Sequence, residues 1–192
     1  MKKDKAQRIA ILNGSPRPRG NTAVALGFLT QELERGKPIL SKHDLYRLRY
    51  RGCAHCDLCK AREDEPGCAL KDDFQKALAD IVRSDVVLVA SPVYCWSVSG
   101  CLSAALDRFY CLFKESGKSL MQGKRIAGVF TAGGDAFDGM DLCVAMMKKL
   151  SAYAGAEYVG TLAAAGCATP EQTAKRADLK RAARALARSL VG

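Results

Sequence analysis

Histidine is scarce in this chain: His43 and His55 are the only two, and neither sits in a nucleophile motif. A hydrolase built on a histidine base is therefore missing its parts. Long apolar runs are missing as well, none approaching the roughly 20 residues that span a bilayer, so no membrane partner is expected. Met1 to Arg8 is basic, but the apolar run after it is too short for an export signal. A cytoplasmic protein is expected. Internal repeats, linkers and low-complexity stretches are also absent, and 192 residues at 48% hydrophobic content suit one domain over 1–192. Acidic residues are few: 20 Asp plus Glu face 30 Lys plus Arg, a net charge of +10. Such a field attracts dinucleotides, acidic redox proteins and nucleic acid alike, without choosing among them.

Cysteine, by contrast, is abundant. Nine is a high and odd number, and in a reducing compartment free thiols or metal ligands are better expected than structural disulfides. Along the chain, short apolar runs alternate with segments of helical period, the signature of βαβ units and a parallel sheet. Strands are predicted over 8–12, 43–48, 85–90, 125–131 and 157–162. Helices are predicted over 21–35 with Asn21 as N-cap, from Asp72 to 84 with Asp72 and Gln75 as a capping box, through Leu102, Ala105, Leu106 and Phe109, and over 139–154 and 170–191. Five such units match a doubly wound α/β sheet of flavodoxin-like order 2-1-3-4-5, with residues 52–70 as a cysteine-rich insertion loop.

Ligands of open parallel sheets bind outside the carboxyl ends of the strands, which directs attention to three segments. After the first strand, Gly14-Ser15-Pro16-Arg17-Pro18-Arg19-Gly20-Asn21-Thr22 brings hydroxyls, guanidinium groups and unpaired N–H groups to a helix start, a phosphate cradle in physical terms. It has neither the Lys-Ser/Thr ending of a P-loop nor a G-x-G-x-x-G fingerprint. After the third strand, Ser91-Pro92-Val93-Tyr94-Cys95-Trp96-Ser97 carries the single tryptophan beside a tyrosine, suited to stacking on a planar ring or, alternatively, to closing the core. After the fourth strand, Thr131-Ala132-Gly133-Gly134-Asp135 allows close backbone approach to a ligand.

The runs ILNGSPRPRGNT at 11–22 and SPVYCWSVSGCLSAALDR at 91–108 resemble the NADPH-dependent FMN reductase group of flavodoxin-like proteins and its iron-sulfur flavoprotein branch. The resemblance covers most of residues 8–135. It implies that Ser15, Arg17, Asn21 and Thr22 bind the FMN phosphate, that Pro92, Val93, Tyr94, Trp96 and Ser97 line the ribityl chain and ring, and that Thr131, Gly133 and Gly134 close the site. It also implies a homodimer or homotetramer.

Cys53, Cys56, Cys59 and Cys68 form C-x2-C-x2-C-x8-C, a run that can converge on a cluster as ferredoxin-type motifs do. In the iron-sulfur flavoproteins, which are similar here, a compact cysteine motif holds a [4Fe-4S] cluster; the final gap in this chain is longer. Three readings stay open: a cluster, a zinc site using His55, or free thiols. Cys95, Cys101, Cys111, Cys143 and Cys167 read mostly as small apolar packing residues. The leading functional expectation is an FMN-dependent oxidoreductase in which NAD(P)H, docking transiently, reduces FMN, and FMN passes electrons to a small acceptor such as a quinone, a flavin or a nitro compound. No side chain is required as acid or base, so no catalytic residue is named. The alternative is an electron carrier relaying from ferredoxin through a cluster to FMN. Arg176, Lys180, Arg184 and Arg188 make a basic stripe with Ala174, Ala177, Leu186 and Leu190 inward, more in keeping with a solvated face than with nucleic-acid binding.

Overall fold

A computed structural model describes residues 6–191. The first five residues of the basic N-terminal run and the last of the expected 1–192 span lie outside the described residues. The elements, in order, are β1 (Arg8–Asn13), α1 (Asn21–Glu34), β2 (Ile39–Asp44), α2 (Phe74–Arg83), β3 (Val86–Tyr94), β4 (Ser97–Val98), α3 (Gly100–Asp107), β5 (Arg125–Thr131), α4 (Met140–Ala154), β6 (Glu157–Ala164), α5 (Pro170–Lys175) and α6 (Ala177–Val191).

β2, β1, β3, β5 and β6 lie side by side in that order, and each neighbouring pair is parallel. This is the expected 2-1-3-4-5 winding, with β4 added as a short antiparallel return on the end of β3. Alternate residues of a strand point to opposite faces, and here both faces are covered, which is why β1 and β3 are nearly all apolar. Ile9, Ile11, Val86 and Leu88 pack with Leu26, Leu29 and Leu33 of α1 and Leu179, Ala183 and Leu190 of α6. Ala10, Leu12, Val87 and Val89 pack with Leu78 of α2, Leu102 of α3 and Met147 of α4. Two helical layers thus hold the sheet rigid beneath its carboxyl edge.

The structure corrects four expectations. The second strand runs Ile39–Asp44, four residues before its predicted start, and Leu45–Arg47 is a single 3-10 turn. Its register against β1 decides this, because an edge strand carries little apolar signal of its own. Gly20, not Asn21, is the N-cap of α1. Asp72 does accept the Phe74 N–H at 3.2 Å, but the Gln75 side chain turns away to the carbonyls of Cys68 and Leu70, so no capping box forms. The last predicted helix is two: Arg176 is extended between α5 and α6, its guanidinium held by Asp178 and the Ala165 carbonyl. The break resets the helical phase, leaving Ala174 and Ala177 exposed and turning Thr173, Leu179 and Ala183 inward.

Candidate functional site

Gly14 leaves β1 against α3 so closely that a Cβ there would sit 2.6 Å from Ser99 Oγ and 2.8 Å from Leu102 Cβ. Ser99 Oγ donates to the Gly14 carbonyl at 2.7 Å and caps α3 by accepting from Leu102 N–H. This contact aims the next segment outward. Asn13 Oδ1 accepts from the Ser15 N–H, and Asn13 Nδ2 donates to Asp44 at 2.8 Å. Burial by itself raises Asp44, but the bonds from Asn13 and Lys42 outweigh it and keep the carboxyl below its ordinary range. After the prolines, α1 begins with no side chain capping it. Its first N–H groups therefore have no capping side chain and lie beside the exposed Arg17 and Arg19, which have no ion-pair partner among the described residues, an arrangement that favours an anion.

Cys95 and Trp96 both have left-handed backbone, φ 47° and 60°, between the paired residues Tyr94 and Ser97. That is a two-residue type I′ hairpin, a turn that usually takes Asn-Gly. Bulky residues there mark strain retained at a site. Tyr94 and Trp96 are 43% and 63% exposed, so neither closes the core. Trp96 Nε1 donates to Asp138 at 2.9 Å, and Gly139, φ 91°, lets α4 start where a Cβ would be 2.5 Å from Trp96 Cα.

Two adjoining recesses share Val93, Ala132 and Gly133 and make one groove across the carboxyl edge. The first, of about 250 Å³, is lined by Arg17, Asn21, Pro92, Tyr94, Thr131 and Cys167 among others. The second, of about 280 Å³, runs on beneath Cys95, Trp96, Gly134 and Asp138. An anion cradle at one end and exposed aromatic rings at the other suit a planar ring carrying a phosphate.

A family model described as NADPH-dependent FMN reductase matches residues 7–169. The chain belongs to the NADPH-dependent FMN reductase family. Similar curated proteins include an iron-sulfur flavoprotein of Methanocaldococcus jannaschii, 27% identical over 133 residues that cover 69% of this chain and 65% of that protein. Another, from Clostridioides difficile, is 30% identical over 56% of this chain and 48% of that protein. The chain thus spans under two thirds of the length of these relatives. Among solved structures, an FMN-dependent NADH-azoreductase of Bacillus anthracis in complex with FMN superposes with a TM-score of 0.69 at 15% identity, covering 97% of this chain and 100% of that one. An NAD(P)H:quinone oxidoreductase of Methanothermobacter marburgensis gives 0.67 at 18%, covering 95% and 96%. At such identities these two likenesses establish the fold.

Within this family member, the groove gathers Arg17, Asn21, Pro92, Val93, Tyr94, Thr131 and Gly133, and adds Trp96 and Gly134 in its second recess. Ser15 faces a smaller recess with Lys42 and Tyr46, and Ser97 is exposed on the hairpin outside both recesses. The Thr22 hydroxyl is buried against Thr131 at 2.7 Å, tying the first loop to the third. Asn21 Nδ2 donates to the Cys167 carbonyl at 2.7 Å, so its side chain anchors the loop after β6. Cys95, Asp138, Cys167 and Ala168 line the groove without a sequence signal that marked them. Cys95 is exposed on the hairpin rather than packed; Cys111 and Cys143 are buried, which pushes their thiols up to about 12 and about 11.

A further cavity, about 500 Å³, lies away from the strand ends between the cysteine loop and α2, beside Arg62, Cys68, Lys71 and Gln75. Within that loop Cys53 and Cys56 are exposed, Cys59 is buried and Cys68 is half-buried. Among the described residues no three His, Cys, Asp or Glu side chains are gathered to hold a metal ion. The donor chemistry of the four thiols suits a cluster, and in this structure two of them face solvent while two are turned inward.

Proposed function

We propose that the chain is an FMN-dependent oxidoreductase that NAD(P)H reduces and that delivers electrons to a small acceptor, a quinone, a second flavin or a nitro compound. The observation that supports it is the uncapped start of α1 opening, beside exposed Arg17, into a groove that ends under exposed Tyr94 and Trp96. The N–H groups of residues 21–23 and the Arg17 guanidinium would take the phosphate, with Ser15 adding its hydroxyl. Thr22 supports this cradle from below through Thr131. Pro92, Val93 and Tyr94 would line the ribityl side, and Trp96, Gly133 and Gly134 the ring, with Ser97 outside the groove. A Cβ on Gly133 would meet nothing within 4 Å, so the backbone faces open groove there. When bound, FMN supplies hydride acceptance and one- or two-electron transfer. The chain's part is to fix the phosphate, orient the ring and leave one ring face open to a nicotinamide or acceptor. Trp96, Phe137 and Leu142, exposed near the groove, favour assembly as a homodimer or homotetramer.

Charge-assisted hydrogen bonds contribute about 1.5 to 3 kcal/mol each, so Arg17→Ala should weaken FMN about tenfold or more while hardly changing riboflavin affinity. Fluorescence quenching checks both. Equal wild-type affinity for FMN and riboflavin would remove the α1 start from its role. The carrier reading, in which a [4Fe-4S] cluster accepts electrons from ferredoxin, draws support from the cysteine motif and from relatives named iron-sulfur flavoproteins. Iron and acid-labile sulfide in anaerobically prepared protein, lost in Cys56→Ala with FMN retained, would establish it.

A further inference from the structure

The four cysteines of the loop have two different environments. Cys59 belongs to a cage around the buried Lys114, whose Nζ donates to the carbonyls of Cys59 at 3.4 Å, Glu65 at 2.6 Å, Pro66 at 3.4 Å and Cys111 at 2.9 Å. An ammonium group taken from water is stable only when its protons are so satisfied, and shifting Cys59 toward the surface would strip it of acceptors. Cys68 is tied down from α2, where Gln75 Nε2 donates to its carbonyl at 2.8 Å. These bonds hold the backbone at both positions, and the thiols are buried at Cys59 and half-buried at Cys68.

Cys53 and Cys56 sit on an irregular segment, Cys53-Ala54-His55-Cys56, in which His55 has left-handed φ 49° and its N–H donates to Cys53 Sγ at 3.3 Å. Tyr110 is the post for this segment. The His55 ring packs on the Tyr110 ring at 5.1 Å, Tyr110 Oη donates to Asp57 at 2.9 Å, and Lys60 Nζ lies 3.5 Å over the same ring while donating to the Tyr110 carbonyl. Two exposed thiols are thus held on a segment anchored to Tyr110, at the C-x-x-C spacing of dithiol–disulfide couples.

We propose that Cys53 and Cys56 are a redox couple that exchanges with small disulfides, while Cys59 and Cys68 stay reduced within the fold. One sulfur of the pair, as thiolate, attacks a disulfide R–S–S–R, forming a mixed disulfide and releasing RS⁻; the other then attacks that bond, closing Cys53–Cys56 and releasing a second RS⁻. The pair loses two electrons, the small disulfide gains two, and the two thiol protons pass to the released thiolates.

The test equilibrates the purified flavin-loaded protein with mixtures of oxidised and reduced glutathione, quenches it in acid, and maps peptides by mass spectrometry. The expected product is lighter by two hydrogens, with the bridge between Cys53 and Cys56 and with Cys59 and Cys68 alkylated only after unfolding. Cys56→Ala should instead accumulate a glutathione adduct on Cys53, with its FMN content unchanged as the check on folding. A bridge that includes Cys59 or Cys68, or a wild type carrying only glutathione adducts or no disulfide at all, would overturn the proposal. So would iron and sulfide in anaerobically prepared protein that disappear in Cys56→Ala. FMN binding is read separately in every sample, so failure of the couple and failure of the flavin reading are distinguishable.

Discussion

Trp96 combines two properties that rarely coincide: a large exposed ring and a left-handed backbone, φ 60°. A non-glycine residue in that region costs about 1 to 2 kcal/mol, while the ring contributes little packing. Trp96→Gly should therefore leave the thermal midpoint of the apoprotein unchanged or raise it, despite losing the bond to Asp138, and should weaken flavin binding or shift the flavin potential. Differential scanning of the apoprotein and a flavin titration check the two halves separately. A large drop in the midpoint would mean that Trp96 supports the fold. The sequence marked Trp96 by its rarity and its place after a buried strand, but not Cys95 or Asp138. Those acquire meaning only when the hairpin and the start of α4 meet at Gly139, a contact between positions far apart along the chain.

At the scale of elements, α1 is the one whose ending matters most. Gly20 has extended backbone, φ −80° and ψ 177°, which any residue can adopt, yet no capping side chain is present. A serine there would offer its hydroxyl to the helix N–H groups in competition with a phosphate. Its effect on helix stability relative to glycine is only a few tenths of a kcal/mol. Gly20→Ser should accordingly leave apoprotein stability close to wild type and reduce FMN affinity more than riboflavin affinity, as measured by quenching. The Cβ would come 3.0 Å from Arg17 Cβ, a contact the exposed Arg17 side can yield to. Proline spacing and the polar composition of 14–22 made the cradle visible in the sequence. The cap itself was misread by one residue, since Asn21 is a good capping residue in isolation but is drawn instead to the Cys167 carbonyl. In the same way the pattern over 170–191 reads as one continuous helix, and the chain breaks at Arg176, whose guanidinium donates to the Ala165 carbonyl.

For the whole molecule, stability should fall on acidification in two stages. His43, buried from water, has its pKa lowered by that burial despite Asp80 Oδ2 at 3.1 Å, so the folded state holds it neutral where the unfolded chain would bind a proton. Its contribution is fully present above the unfolded value of about 6.5 and is lost as pH falls below it. The second stage lies lower. Asp44, Asp64 and Asp178 are all held below their ordinary range, Asp178 at about 2 chiefly by its bonds from Arg176, so the contribution of each fades as pH drops below about 4. Urea unfolding across pH should show both declines, and His43→Gln should flatten the upper one and spare the lower.

The winding of the sheet was settled by sequence alone, because a strand buried on both faces must be apolar throughout and a helix between parallel strands must show its own period. The gathering of polar groups at the carboxyl edge was legible too: prolines, glycines and guanidinium groups at strand ends have no packing role to explain them. Only the tertiary structure decided how the cysteines divide. Spacing made Cys53, Cys56, Cys59 and Cys68 a single set, but the charge of Lys114, distant in sequence, must find acceptors once buried, and it finds them on the backbone of Cys59 and its neighbours. Cys59 is thereby held inward, Cys68 is held from α2 by Gln75, and Cys53 and Cys56 are left on the surface. A local motif cannot encode that division, since the group that imposes it comes from the connection between α3 and β5.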